Sequence, residues 1–194
     1  MARDGRNSNS NSAAAWRYSL TLAAMLSALA LLGAPVSSAQ GPEPPATVKV
    51  GASGLRVPRF VSLKSNRVNV RKGPSTGYAV AWVFSRAGLP VEVVAESENW
   101  RQIRDSEGSE GWVFHALLSG RRTALVMPWV KQRQTIMLHD EASTGAGVVA
   151  RLESGVLGSV HKCDGEWCNF TVGNYNGWIE QERLWGVYRD EEVK

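Results

Sequence analysis

Ser75-Thr76-Gly77 recurs as Ser143-Thr144-Gly145, and from that anchor the landmarks on either side come into step with only single-residue gaps. Val70 falls on Leu138, Val80 on Val148, Gly88 on Gly155, Trp100 on Trp167, and the pair Gly111-Trp112 on Gly177-Trp178, all in the same order. Chance identity rarely lands repeatedly on Trp and Gly, so the chain holds two homologous units in series. A period of about 67 residues is too long for one solenoid unit and suits a small self-sufficient domain.

Within each unit the apolar runs are short, alternating and separated by Gly, Pro, Asn and Asp, which predicts strands. In the first unit they cover 67–71, 79–84, 90–96, 100–104 and 111–114; in the second, 135–138, 147–152, 158–163, 167–172 and 177–179. Five short strands in some 60 residues suggest a compact barrel, because closing the sheet removes edges that invite aggregation.

The segment Val68-Asn69-Val70-Arg71-Lys72-Gly73-Pro74-Ser75-Thr76 resembles the opening signature of bacterial SH3 domains, the SH3b-like family. Ala87-Gly88-Leu89-Pro90-Val91-Glu92-Val93, Asn99-Trp100-Arg101-Gln102-Ile103 and Gly111-Trp112-Val113 follow in the order that family requires. The second unit departs from it at Leu138-His139-Asp140-Glu141-Ala142-Ser143, so its first long loop is expected to differ. Leu184-Trp185-Gly186-Val187-Tyr188 is similar to the endings of exported SH3-domain proteins. The resemblance spans roughly residues 59 to 188 and implies a mainly β chain of two tandem SH3-like small β-barrels. It also implies a binding module, often attached to cell-wall enzymes or to surface proteins.

Arg3, Arg6 and Arg17 precede an apolar run from about Leu20 to Leu32, followed by Gly33, Pro35 and the small residues Val36-Ser37-Ser38-Ala39. This is the three-part pattern of a secretory signal peptide, with cleavage expected before Gln40. An uncleaved anchor is the alternative, but the run falls short of the about 20 residues that span hydrocarbon. Residues 40–58, rich in Pro, Gly, Ala and Ser, read as an extended tether. The expected organisation is signal peptide 1–39, flexible linker 40–58, and SH3-like domains at 59–122 and 123–194. No membrane span is expected after cleavage, and no attached hydrolase domain is expected within this length.

The formal charge of +4 is inflated by the leader; beyond residue 39 there are 19 basic and 17 acidic side chains, too balanced to advertise nucleic acid. No cofactor, metal site or catalytic residue is predicted. His161 and Cys163, two apart and therefore on one face of a strand, are the sole constellation for thiol chemistry. A disulfide between Cys163 and Cys168 is the expected state, because Asp164-Gly165-Glu166 is turn chemistry and exported proteins meet oxidising conditions. Val160 and Phe170 both favour the core, and facing them would offset the cysteines by one residue unless a bulge or a wide turn absorbs it. In the first unit Glu96 and Arg101 take the two cysteine positions, so an exposed ion pair of little energetic weight is expected there.

With Ile103 and Phe170 in the cores, parity turns Trp100 and Trp167 outward. They either line a ligand groove, joined by Tyr78 and Tyr175 from flanking loops, or cap their own barrels. Trp112 and Trp178 read as packing residues. The Ala-Leu-Tyr-Asp-Tyr segment of eukaryotic SH3 domains is absent, so polyproline recognition does not carry over. The expected function is an exported, periplasmic or extracellular, non-enzymatic module for peptidoglycan or a cell-envelope protein. The alternatives are a periplasmic scaffold that leaves the wall polymer alone and a regulator of wall-lytic enzymes.

Overall fold

The computed structural model describes residues 49–194, so the expected signal peptide and the first part of the linker lie outside the described residues. Strands β1 (Lys49–Val50) and β2 (Arg56–Val57) pair as a small hairpin. This corrects the expectation of an extended tether over these residues. The hairpin turn is held by Glu96, which accepts from the Ser53 amide at 2.7 Å and the Ser53 hydroxyl at 2.8 Å. Composition revealed the turn residues but not their distant partner.

The first barrel contains β3 (Arg59–Leu63), β4 (Val68–Arg71), β5 (Val80–Phe84), β6 (Pro90–Ser97), β7 (Trp100–Arg104), β8 (Glu110–Phe114) and β9 (Leu118–Ser119). The second contains β10 (Thr123–Val126), β11 (Thr135–His139), β12 (Val148–Glu153), β13 (Leu157–Asp164), β14 (Trp167–Val172), β15 (Tyr175–Glu180) and β16 (Leu184–Trp185), with β17 (Glu192–Val193) added along β13. The antiparallel order β5-β4-β8-β7-β6-β3-β9 repeats as β12-β11-β15-β14-β13-β10-β16. The ten expected strands are present, and the chain is mainly β with two SH3-like sheets in tandem.

Five strands per unit is nevertheless an undercount. The four residues Phe60–Leu63 and all of β10 are buried, so neither strand alternates between apolar and polar. Burial on both faces removes the period-two signal. Each strand feeds its own core, with Val61 and Leu63 in one and Ala124 and Val126 in the other. Phe60, Ser62 and Thr123 on these strands meet the other barrel. Ser62 Oγ lies 2.6 Å from Thr123 Oγ1, and Thr123 donates to Gly88 O at 2.7 Å. Phe60 packs edge-on against Trp185, with ring centroids 5.1 Å apart, and against Tyr188 at 4.7 Å.

Tyr188 also donates its hydroxyl to Glu92 at 3.0 Å, across the same junction. Burial first, then the charge of Glu92 and the hydrogen bond to it, push the phenol far above its ordinary range. The Tyr188 end is anchored from below: Gln181 Nε2 donates to Tyr188 O and Glu191 O, and Arg122 grips Glu191 through two 2.8 Å hydrogen bonds.

The two cores are packed with different side chains. Val91 and Ile103 in the first correspond to Gly158 and Phe170 in the second, and a Cβ at Gly158 would collide with the Phe170 ring. The side-chain carbons that Val91 and Ile103 share between two strands are carried in the second core by the Phe170 ring alone, over a glycine that leaves room for it. The first long loop begins differently in sequence yet closes alike. Arg71 donates to Tyr78 O at 2.6 Å, and His139 Nδ1 makes the equivalent contact with Ala146 O at 3.2 Å.

The hairpin carrying each Trp has one register in both barrels. Val160 faces Phe170 and Cys163 faces Cys168, with the ladder shifting at His161; likewise Val93 faces Ile103 and Glu96 faces Arg101, with Val94 the extra residue. The bulge satisfies both demands on the register. It also puts exposed His161 and buried Cys163 in different environments, which removes the expected shared face. Cys163 and Cys168 are bonded to each other. A thiol reagent under denaturing, non-reducing conditions should therefore label neither, and reduction should lower the second barrel's stability by about 2 kcal/mol on the loop-closure estimate. Two labels per chain would contradict the pairing.

Glu96 and Arg101 stand where the disulfide stands in the other barrel, but their pair is buried. The side chains are 1% and 9% exposed and the contact is 3.1 Å. Arg59 joins Glu96 at 2.7 Å. Alignment of the two repeats located the pair, and the N-terminal hairpin, which covers it, was the part read as a tether.

Candidate functional site

In each barrel the Trp hairpin turn and the first long loop enclose a groove. The first, of about 480 Å³, is lined by Arg71, Ser75, Thr76, Glu98, Trp100 and Phe114 among others. The second, of about 540 Å³, is lined at equivalent positions by Ser143, Thr144, Gly165, Trp167 and Glu180. Both volumes lie within the range of small-ligand sites, about 300–1,000 Å³.

Local chemistry explains why each Trp stands there. The turn before it needs a residue in left-handed backbone, supplied by Glu98 at φ +48° and by Gly165 at φ +105°. In the second barrel Asp164 Oδ1 accepts from the Glu166 amide at 3.0 Å and from the Trp167 amide at 2.8 Å, fixing the start of β14. The Trp167 hydrogen bond is also the main reason the Asp164 carboxyl sits below the usual range, outweighing the opposing effect of burial. In the first barrel Arg101 Nη1 does the corresponding work by donating to Glu98 O at 2.9 Å and Trp100 O at 3.0 Å.

Parity holds at both Trp positions, since each points away from its core residue, but full exposure does not follow. Trp100 is 9% exposed, because Phe114, paired with it across β7 and β8, meets it edge-on with ring centroids 5.6 Å apart. Trp167 faces Glu180 in that register and is half-buried, with the His139 ring edge-on at 5.8 Å. Tyr78 and Tyr175 are exposed and line neither groove. The Tyr78 ring lies over Gly73, leaving only its carbonyl to engage Arg71. Tyr175 pairs with Val172 at the opposite end of the hairpin from Trp167 and Glu180, so register separates it from the groove. Trp112 and Trp178 are half-buried on the last long strand of each sheet.

Sequence reasoning missed Phe114, Arg71 and Gln181. For the first two the signal was present, since Phe114 follows the Gly-Trp pair by two residues and Arg71 begins the loop. Gln181 carries no sequence signal, because its burial depends on the C-terminal segment folding back over it.

The bacterial SH3 domain description matches twice, at residues 64–120 and 129–186. The chain belongs to the bacterial SH3 domain family. Both matches contain one complete Trp hairpin, and the first contains all of its groove, whereas Arg189 and Asp190 of the second groove lie beyond the second match. Among solved structures, NlpC2 from Trichomonas vaginalis is 13% identical over 66% of this chain and 48% of its own, with a TM-score of 0.30. NlpC1 from the same organism is 14% identical over 74% of this chain and 51% of its own, with a TM-score of 0.29. The chain thus corresponds to about half the length of these two structures. No curated protein matches it.

Proposed function

We propose that the chain is an exported, non-enzymatic tandem binding module that uses the Trp100 and Trp167 grooves to hold peptidoglycan or a peptide of the cell envelope. The observation that carries this reading is the recurrence of one groove, from equivalent segments, in two barrels whose sequences have otherwise diverged. Core packing alone does not require a cleft of several hundred Å³ beside the same aromatic residue twice. Membership of the bacterial SH3 family supports a binding role, and the disulfide supports an oxidising compartment. The sole thiol pair among the described residues is consumed in that disulfide, which leaves His161 with only Thr171 Oγ1 at 3.0 Å as a side-chain partner.

Co-sedimentation with purified, insoluble peptidoglycan tests the reading. The intact chain is expected in the pellet, and loss of either Trp is expected to reduce it. A chain that stays in the supernatant while capturing one envelope protein would shift the assignment to the scaffold alternative, and a cleared zone on a wall zymogram would overturn the non-enzymatic assignment.

A further inference from the structure

Two guanidinium groups in the first barrel share one carboxylate, Arg59 pairing with Glu96 at 2.7 Å and Arg101 at 3.1 Å. Strand register makes Arg122 the counterpart of Arg59, because β10 lies along β13 as β3 lies along β6. Among the described residues Arg122 is the one cation paired with Glu191, through two 2.8 Å hydrogen bonds. The positions of Glu96 and Arg101 are held in the second barrel by the uncharged disulfide. The first barrel is therefore one carboxylate short at a place where the second is balanced.

A crevice of about 470 Å³ opens at that place, lined by Leu55, Arg59, Arg101, His115, Leu118 and Arg122 among others. Every titratable side chain in its lining is basic, and it shares no residue with either Trp groove. Its volume falls in the range of ligand sites.

The second barrel shows what covers the same surface. There the turn 188–191 folds back over it, Glu191 reaching Arg122 and the Tyr188 and Glu191 carbonyls accepting from Gln181 at 2.6 Å and 3.0 Å. Gln181 is the counterpart of His115, which is exposed and faces the open crevice instead. In the first barrel the chain beyond Gly120 runs on into β10 and does not turn back. The N-terminal hairpin stands at Glu96, where the second barrel has β17, and gives the crevice one wall through Leu55.

We propose that this crevice receives a glutamate-bearing turn of a partner protein, seated as the turn 188–191 is seated on the second barrel. Such a turn supplies the missing carboxylate, which guanidinium groups hold by charge-assisted hydrogen bonds. Leu55 and Leu118 offer apolar cover to its flank. The site is separate from the Trp grooves and stands or falls without them.

The test uses the intact chain, labelled with 15N, and the hexapeptide acetyl-Val-Tyr-Arg-Asp-Glu-Glu-amide, which copies residues 187–192. The expected result is a saturable shift of the Leu118, Ser119 and Gly120 amide signals, with both the Trp100 and Trp167 indoles unmoved. The same peptide with Gln in place of its first Glu should bind at least about tenfold more weakly, the factor that losing a hydrogen bond to a charged group corresponds to. Leu55→Glu should weaken binding to a similar degree by setting a like charge against the ligand. Its spectral dispersion should be unaltered, since Leu55 is 54% exposed. Equal binding of the Gln peptide, or no shift with either peptide, would overturn the proposal. Shifts confined to Gln181 and Tyr188 would show mere exchange with the chain's own turn and do the same. Acetate binding as tightly as the hexapeptide would reduce the crevice to a simple anion site. Concentration-dependent self-association that moves the same crevice signals would give the site to a second copy and remove the separate partner.

Discussion

Glu96→Ala should destabilise the first barrel by about 3 kcal/mol, because removing one member of a buried charge network leaves the others uncompensated. The Glu96 carboxylate serves the Ser53 amide, the Ser53 hydroxyl, Arg59 and Arg101 together. Its loss strands two guanidinium groups, frees the N-terminal hairpin, and loosens Arg101, which holds the turn carrying Trp100. Chemical denaturation at neutral pH measures the effect, and a change below about 1 kcal/mol, the ceiling for an ordinary surface pair, would show the network to be weak.

The same residue gives the protein an acid-sensitive limb. Burial is the largest single influence on Glu96 and opposes ionisation, but the hydrogen bonds from Ser53 and the Arg59 charge together hold the carboxyl below the usual range. A depressed folded value means the stabilisation is present above the unfolded carboxyl range, near about pH 4, and is lost as pH falls through the lower folded value. Glu96→Gln, which cannot ionise, should flatten that part of the profile.

The second large effect separates the two Trp residues, which the sequence treats as equivalents. Trp167→Ala should weaken wall or peptide binding by about 1 kcal/mol or more, as loss of an aromatic anchor does, with a modest change in melting. Trp100→Ala should lose binding and stability together, because the ring is covered by Phe114 and its removal approaches the cost of a core truncation, about 3 kcal/mol. Phe170→Ala, fully buried, supplies the reference for lost packing. A Trp167→Ala protein that melts as early as that reference would make Trp167 structural and end its role as a ligand wall.

The contrast shows how far one strand's pattern reaches. Alternation placed Trp100 and Trp167 on the side away from their cores, and the competing demands of Val160, Phe170 and the two cysteines called for a bulge or a wide turn, of which the structure has the bulge; both are local properties of one hairpin. Whether the outward side is covered depends on the neighbouring strand, where one barrel has Phe114 and the other Glu180, and on the loop that Arg71 or His139 pins down. Tyr175 lies away from the groove for a related reason, since a loop that flanks β14 in sequence can sit at either end of the hairpin, and this one sits at the end opposite Trp167. Strands β3 and β10 escaped a pattern-based reading because each is buried by two partners at once. Gln181 was invisible because the chain that buries it arrives only after the second barrel has closed.

The junction built by Ser62, Thr123, Gly88, Phe60, Tyr188 and Glu92 bears on how the chain would hold a polymer. Two modules on a loose string search independently, and the second capture depends on the volume the string sweeps. Barrels packed through β3 and β10 instead present their grooves at one separation, so the local concentration of the second site is set by protein geometry. A strand whose recognisable groups repeat at that separation gains avidity, and one with another repeat binds through a single groove. The tandem would then act as a gauge of ligand spacing as well as of ligand chemistry.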